Sequence, residues 1–441
     1  MVRTFIAAIL CIFIESNVAL SGGLFLAASV METGSVAFSA AGSPAVPTVR
    51  LTLDEAVSLF LQHNLDLLMA KYGIESSKAR QVTARLFPNP VASIGLVSSP
   101  FQGRTLGNSG QIISQVQQLF ELAGKRGYRI ESTAYETQSA EAGFEDAVRQ
   151  LGFLVKDSYY RIQLARRRLT LAEENRDRFS RILEVNTIRF KKGYIAEVDL
   201  IRIRLQFIDF QSQVIQAIQE AESARSDLRQ LLQLSAVTQL ELTTDLEYKR
   251  LEPDIVRLRS MASETRPDVR AKRHAFSQRE AEVRLARAYR IPDVMVGAGY
   301  AVQGARGPDN PTQMEFGLGV PLPLFNRNQG GIMGAEAALR TAEADLDKTV
   351  NQVENQVDVA YRNLIESRRL VEAFLGGVLD DARSIFTIAE RAYERGGVTL
   401  IDLLDAARTS RTIQQSYIEA LFNYQRNVIQ LESAVGQAIA S

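Results

Sequence analysis

Asp402 and Asp405 are three residues apart, so on a helix their carboxylates share one face. In a trimer such a pair would form rings of carboxylates, a device that selects or holds cations. Arg391 and Arg395 lie just upstream, four residues apart. Pairing across subunits with those carboxylates would hold the rings closed. The competing reading for the arginines is ordinary exposed charge, which is commoner and worth little. Between the two groups stand Gly396 and Gly397, and a matching Gly193–Tyr194 lies in the first half of the chain. Each pair interrupts an otherwise continuous helical pattern, and glycine permits the positive φ of a reversing turn. Asp199 and Asp402 each follow the matched glycine by six residues. Either they start the returning helix, where a carboxylate suits the dipole, or they face an axis or a partner.

Other chemistry is sparse. The histidines are His63 and His274, too isolated for a metal site, and the one cysteine is Cys11. No nucleophile–base constellation, phosphate-binding glycine loop or zinc spacing is visible, so neither an enzyme nor a bound cofactor is expected. Acidic and basic residues number 51 each, which gives no electrostatic case for nucleic acid. Asn326, Arg327 and Asn328 read as a turn before Gly330–Gly331; the alternative is a contact at a membrane boundary or lumen.

Residues 1–40 read as a signal peptide. Arg3 supplies the positive start and Phe5–Ile14 the apolar core. A second apolar run from Val18 to Val30 leads to small residues, with cleavage expected after Ser39 or Ala41. An uncleaved anchor is the alternative. Cys11 is no lipid-attachment site, because Leu10 before it is not small. Beyond residue 40 no apolar run reaches the ~18 residues of a spanning helix, so a membrane span would have to be a closed β-barrel.

The elements that must position these residues are mostly long helices. From about Gly124 to Lys192 there is no proline, and apolar residues recur in steps of three and four from Phe144 to Phe190. That stripe is the mark of coiled-coil packing, on a helix roughly 100 Å long. A second stripe runs from Val353 to Ala392, through Val378, Ala382 and Ile385, and Gly376–Gly377 weakens it locally. Segments about 203 residues apart match, which marks an internal duplication. Asn64-Leu-Asp-Leu67 matches Arg266-Pro-Asp-Val269, and Arg189–Gly193 matches Ala392–Gly396. The halves are 41–234 and 257–438, joined by a linker at 235–256, where periodicity is poorer.

Each half also carries two alternating stretches with the strand period of two. They are Val91–Ser98 and Gln111–Leu119, then Val294–Val302 and Met314–Val320, with loops at Gly103–Gly110 and Gly304–Pro311. The order in each half is helix, strand, strand, very long helix, tight turn, helix. Four strands leave open edges that lipid does not tolerate. Three subunits would supply twelve strands and close a barrel.

Gln118-Leu-Phe-Glu-Leu-Ala-Gly-Lys-Arg126 and Pro321-Leu-Pro-Leu-Phe-Asn-Arg-Asn-Gln-Gly330, with Leu51-Thr-Leu-Asp-Glu-Ala-Val57, resemble segments of the TolC-like outer-membrane efflux factors, in forms close to the CzcC-type heavy-metal and cation members. The resemblance spans about residues 50–440. It implies a mainly α fold with a small β part. Long antiparallel coiled-coil helices would form an α-barrel, and four strands per protomer would contribute to a trimeric 12-stranded transmembrane β-barrel in outer-membrane lipid. It implies a homotrimer that passively conducts metal cations or other small toxic compounds, docked on a periplasmic adaptor and an inner-membrane pump of the RND type. It places the two tight turns at the periplasmic tip, where the channel constricts and the adaptor binds. On that footing Gly193, Tyr194, Asp199, Gly396 and Gly397 are candidate adaptor contacts, and Asp402, Asp405, Arg391 and Arg395 the candidate gate. The competing functions are a periplasmic adaptor, which should show one hairpin inside a lipoyl-like module, and a structural coiled coil, which needs no strand pairs.

Overall fold

The computed structural model describes residues 48–97, 111–303 and 312–439. The leader with Cys11, its cleavage region and the two loops Gly103–Gly110 and Gly304–Pro311 lie outside the described residues.

Both halves repeat one plan. The first contains β1 (Thr48–Leu51), α1 (Leu53–His63), α2 (Leu65–Arg85), β2 (Val91–Val97), β3 (Gln111–Phe120), α3 (Lys125–Lys191) and α4 (Glu197–Leu231). The second contains β4 (Gln239–Leu242), α5 (Ile255–Thr265), α6 (Pro267–Ala288), β5 (Val294–Gln303), β6 (Thr312–Gly319), α7 (Gln329–Ala373), a π turn (Phe374–Val378), α8 (Leu379–Glu394) and α9 (Leu400–Val435).

The leading helix of each half is broken once, which the repeat pattern alone does not reveal. Asn64 ends α1 with extended backbone, and its side chain accepts from the Leu67 amide to start α2. At the matching place Pro267 opens α6 behind Arg266. Arg266 is almost wholly buried. Its guanidinium donates to both Asp268 oxygens, to Gln356 Oε1 and to the Ala434 carbonyl, so each of its three nitrogens has a partner and the cost of burying it is offset.

The inter-repeat linker at 235–256 contains β4, which pairs in parallel with β1. Four residues per strand are too few for a periodic signal. The pair is covered by Phe60, Tyr159, Leu228 and Leu246, all buried in one core. Tyr159 Oη donates to the Leu51 carbonyl and accepts from the Thr244 amide, pinning this small layer to the middle of α3.

The first apolar stripe buries much as expected, with Val155, Ile162, Ala165, Phe179 and Asn186 all inside. The second changes register. Val353, Val357, Ala360, Leu364 and Val371 are buried as the period predicts, but beyond the π turn the core residues are Leu379, Ala382 and Phe386. Val378 and Ile385, expected inside, are exposed. The helix is kinked here, and beyond the kink Leu379 and Phe386 replace their neighbours Val378 and Ile385 in the core, while Ala382 is buried as expected. Gly377 makes this possible with φ of 123°, a conformation closed to most side chains.

The four long strands form one antiparallel sheet in the order β2-β3-β5-β6, with both outer edges unpaired among the described residues. Opposed residues share a face. One face carries Ile94, Leu96, Ile112, Val116, Val296, Tyr300, Met314, Phe316 and Leu318, all exposed. The other carries Ser93, Gln111, Gln115, Gln117, Gln313, Glu315 and several glycines, with a minority of apolar residues.

Candidate functional site

The two reversing turns are built alike. At Gly193 (φ 78°) the amide donates to the Phe190 carbonyl, and the next amide, of Tyr194, donates to Arg189, both at 2.9 Å. At Gly396 (φ 75°) the amide donates to Tyr393, and that of Gly397 to Ala392 at 2.8 Å. Both are Schellman closures, in which the left-handed residue satisfies the last carbonyls of the helix. Only the first glycine of Gly396–Gly397 is required. Tyr194 occupies the equivalent of Gly397 and is 76% exposed, a large apolar side chain held out from the end of the hairpin.

The returning helices start differently. Thr399 caps α9, with its hydroxyl accepting from the Asp402 amide. Asp402 Oδ2 accepts in return from the Thr399 amide at 2.9 Å and hydroxyl at 2.7 Å, completing a capping box. The Thr399 hydroxyl and then its amide hold the Asp402 carboxyl below the usual carboxylate range. In the first half Ala196 stands at the cap and offers no side-chain bond. Asp199 lies near Arg202 at 3.8 Å instead. Asp405 is exposed one turn further along α9, on the same face as Asp402. Arg391 and Arg395 are exposed, and among the described residues neither makes an ion pair within the chain.

The two hairpins are locked together just before their turns, by residues that carry no motif in the sequence. Tyr393 Oη donates to Asn186 Oδ1 at 2.9 Å, and Asn186 Nδ2 donates to the Ile182 carbonyl. Arg189 Nη2 donates to the Glu394 carbonyl at 2.8 Å and sits over the Tyr393 ring. Burial pushes the Tyr393 phenol up, with Arg189 opposing. Further along, Phe179, Ile203, Phe210, Phe386 and Leu403 form one core across α3, α4, α8 and α9, and Arg411 reaches Asp209 at 3.2 Å. The signal available in the sequence was Asn186. A carboxamide in an apolar stripe requires a buried partner.

At the opposite end of α3 the strands pass into the helices. Ala123 and Gly124 are both left-handed, which turns the chain sharply from β3 into α3. Lys125 is 2% exposed, and its Nζ donates to Asp293 Oδ1 and the Ile291 carbonyl, both at 2.6 Å. Glu121 receives a two-bond clamp from Arg129. In the second half Asn328 takes the left-handed position before α7, and its side chain donates to the Ala286 carbonyl. The segment 326–328 is therefore a turn, as expected. His63 is exposed and bonds its own helix at Leu59, while burial lowers the His274 pKa. Among the described residues no cluster suits a metal ion.

A sheet with one apolar face and two open edges, continuous with paired long helices that end in reversing turns, is the wall segment of a channel that passes from lipid into water. The model of the outer membrane efflux protein family matches residues 56–233 and 258–437, and the chain belongs to that family. It is 26% identical to the cobalt-zinc-cadmium resistance protein CzcC of Cupriavidus metallidurans, over 84% of this chain and 86% of that one. It is 23% identical to the outer membrane protein TolC of Escherichia coli, over 73% of this chain and 68% of TolC. Among solved structures, the outer-membrane channel OprN superposes with a TM-score of 0.73 at 21% identity, covering 88% of this chain and 90% of OprN. CusC superposes with a TM-score of 0.75 at 19% identity, covering 88% and 92%.

The chain is thus an outer-membrane efflux channel and not an enzyme. Three protomers pool their sheets into a twelve-stranded barrel continuous with an α-barrel in the periplasm. The channel works with an adaptor and an inner-membrane pump. The adaptor and structural coiled-coil alternatives are set aside.

Proposed function

We propose that this channel exports divalent metal cations delivered by an inner-membrane pump of the RND type, and that its two turns form a gated periplasmic tip. The cargo reading rests on the extended similarity to CzcC, whose name records cobalt, zinc and cadmium resistance. A nickel-cobalt-cadmium resistance protein, NccC of Alcaligenes xylosoxydans xylosoxydans, is 27% identical over 66% of this chain and supports the same reading. The apolar face of the sheet seats the barrel in outer-membrane lipid. A strain lacking this chain is expected to become hypersensitive to Co2+, Zn2+ or Cd2+, with resistance restored by the wild-type sequence. Unchanged sensitivity to all three would remove the cargo assignment.

In the gate, Gly193, Tyr194, Asp199, Gly396 and Gly397 meet the adaptor. Asp405 supplies the ring of free carboxylates, with Arg391 and Arg395 of neighbouring subunits as counter-charges. Asp402 contributes chiefly by starting α9, since Thr399 already holds one of its oxygens. Opening separates the hairpins, so the Tyr393–Asn186 and Arg189–Glu394 links must stretch or break. In planar bilayers Asp402→Ala with Asp405→Ala should raise leak conductance and weaken cation block, and Asp405→Ala alone should reproduce most of the change. Currents and cation sensitivity equal to wild type would take both residues out of the gate.

A further inference from the structure

The described residues of β2, β3, β5 and β6 contain one charged side chain, Glu315. The alternation of β6 decides where it points. Met314 and Phe316, its neighbours in sequence, are 79% and 81% exposed on the apolar face. Glu315 falls on the other face, in one row with Ser93, Gln115 and Gly299. Gly299 stands between Gln115 and Glu315, so no side chain covers the carboxylate from that strand. The rows on either side supply glutamine, glycine and apolar groups and no second charge. In the closed barrel this face lines the water-filled lumen.

We propose that Glu315 is a specificity-determining residue of the exit pore: three copies form a carboxylate ring inside the β-barrel that favours inorganic cations over anions. Twelve strands about 4.8 Å apart and tilted by about 40° close at a radius of about 12 Å, so all three carboxylates stand within about 10 Å of the axis. The Debye length at about 0.1 M salt is also about 10 Å, so the axis lies within reach of the whole ring. At about 1 M salt it shrinks to about 3 Å and the ring is screened from the centre. The preference is therefore a property of low and physiological salt. It acts at the opposite end of the channel from the turns, and it requires no particular cargo.

The test is the cation-to-anion permeability ratio of the purified trimer in planar bilayers under asymmetric KCl, at about 0.1 M and about 1 M mean salt. The wild type should prefer K+ at the lower salt and lose most of that preference at the higher. Glu315→Gln, isosteric and neutral, should bring the low-salt ratio toward parity by about twofold or more, and Glu315→Lys should carry it below parity. The same measurements in an Asp405→Ala background isolate the barrel from the tip. A Glu315→Gln ratio equal to wild type at low salt, or a preference abolished by Asp405→Ala and untouched by Glu315→Gln, would overturn the proposal. Neither outcome bears on the metal-sensitivity phenotype, which tests the cargo separately.

Discussion

Phe316→Arg should abolish assembly of the channel, leaving little or no trimer in the outer-membrane fraction. Phe316 lies in the middle of β6 on the apolar face, opposite Ala298, and is 81% exposed within the protomer. In a water-facing sheet, replacing an exposed phenylalanine by arginine would be neutral or favourable. On a lipid face it costs about 2–4 kcal/mol near the bilayer midplane. Threefold symmetry applies that penalty three times to one barrel, a total comparable to the ~5–15 kcal/mol by which folded domains are stable. Glu315→Gln, one residue away on the other face, should assemble normally. Trimer recovery from outer membranes, resolved in detergent without heating, separates the two. Equal recovery of Phe316→Arg and wild type would mean that the apolar face does not meet lipid.

Lys125→Met should lower the stability of the folded channel by about 3–5 kcal/mol, the cost of leaving one member of a buried ion pair alone. The Lys125 ammonium contacts Asp293 and the Ile291 carbonyl at 2.6 Å, and the same Asp293 oxygen accepts from the Leu122 amide. The pair therefore ties the exit from β3 in the first half to the entrance of β5 in the second. It fixes the angle at which sheet becomes helix. Methionine matches the stem of lysine but leaves Asp293 with one backbone donor. The double variant Lys125→Met with Asp293→Leu removes both charges and should recover part of the loss, because two apolar groups leave no buried charge unmatched. Thermal unfolding midpoints of the purified trimers measure this. A single variant as stable as wild type would show that the junction is held by packing alone.

The sequence made the strands legible because a half-exposed strand must alternate, and their observed limits fall within a few residues of the pattern. The turns were legible for an equally local reason. A glycine between two long helical stripes leaves a left-handed closure as the simplest geometry, and both Gly193 and Gly396 adopt it. What stayed hidden depends on contacts between distant residues. The β1–β4 pair joins segments 191 positions apart with four residues each, too short to carry a period. The packing beyond Gly377 depends on a kink that no apolar period encodes, which places Leu379 and Phe386 inside instead of Val378 and Ile385 and leaves Ala382 in the core. The Tyr393–Asn186 and Lys125–Asp293 links join side chains whose types were visible but whose partners lie about 200 and 170 residues away, beyond any local rule.

A single chain is an incomplete wall, sealed only when three sheets join edge to edge. The direct measurement is the protein mass of the detergent-extracted particle, by light scattering corrected for bound detergent. A trimer requires three times the mass of the mature chain, recovered from the outer-membrane fraction. A folded particle with the mass of one chain, stable in detergent or recovered from the soluble periplasm, would contradict it.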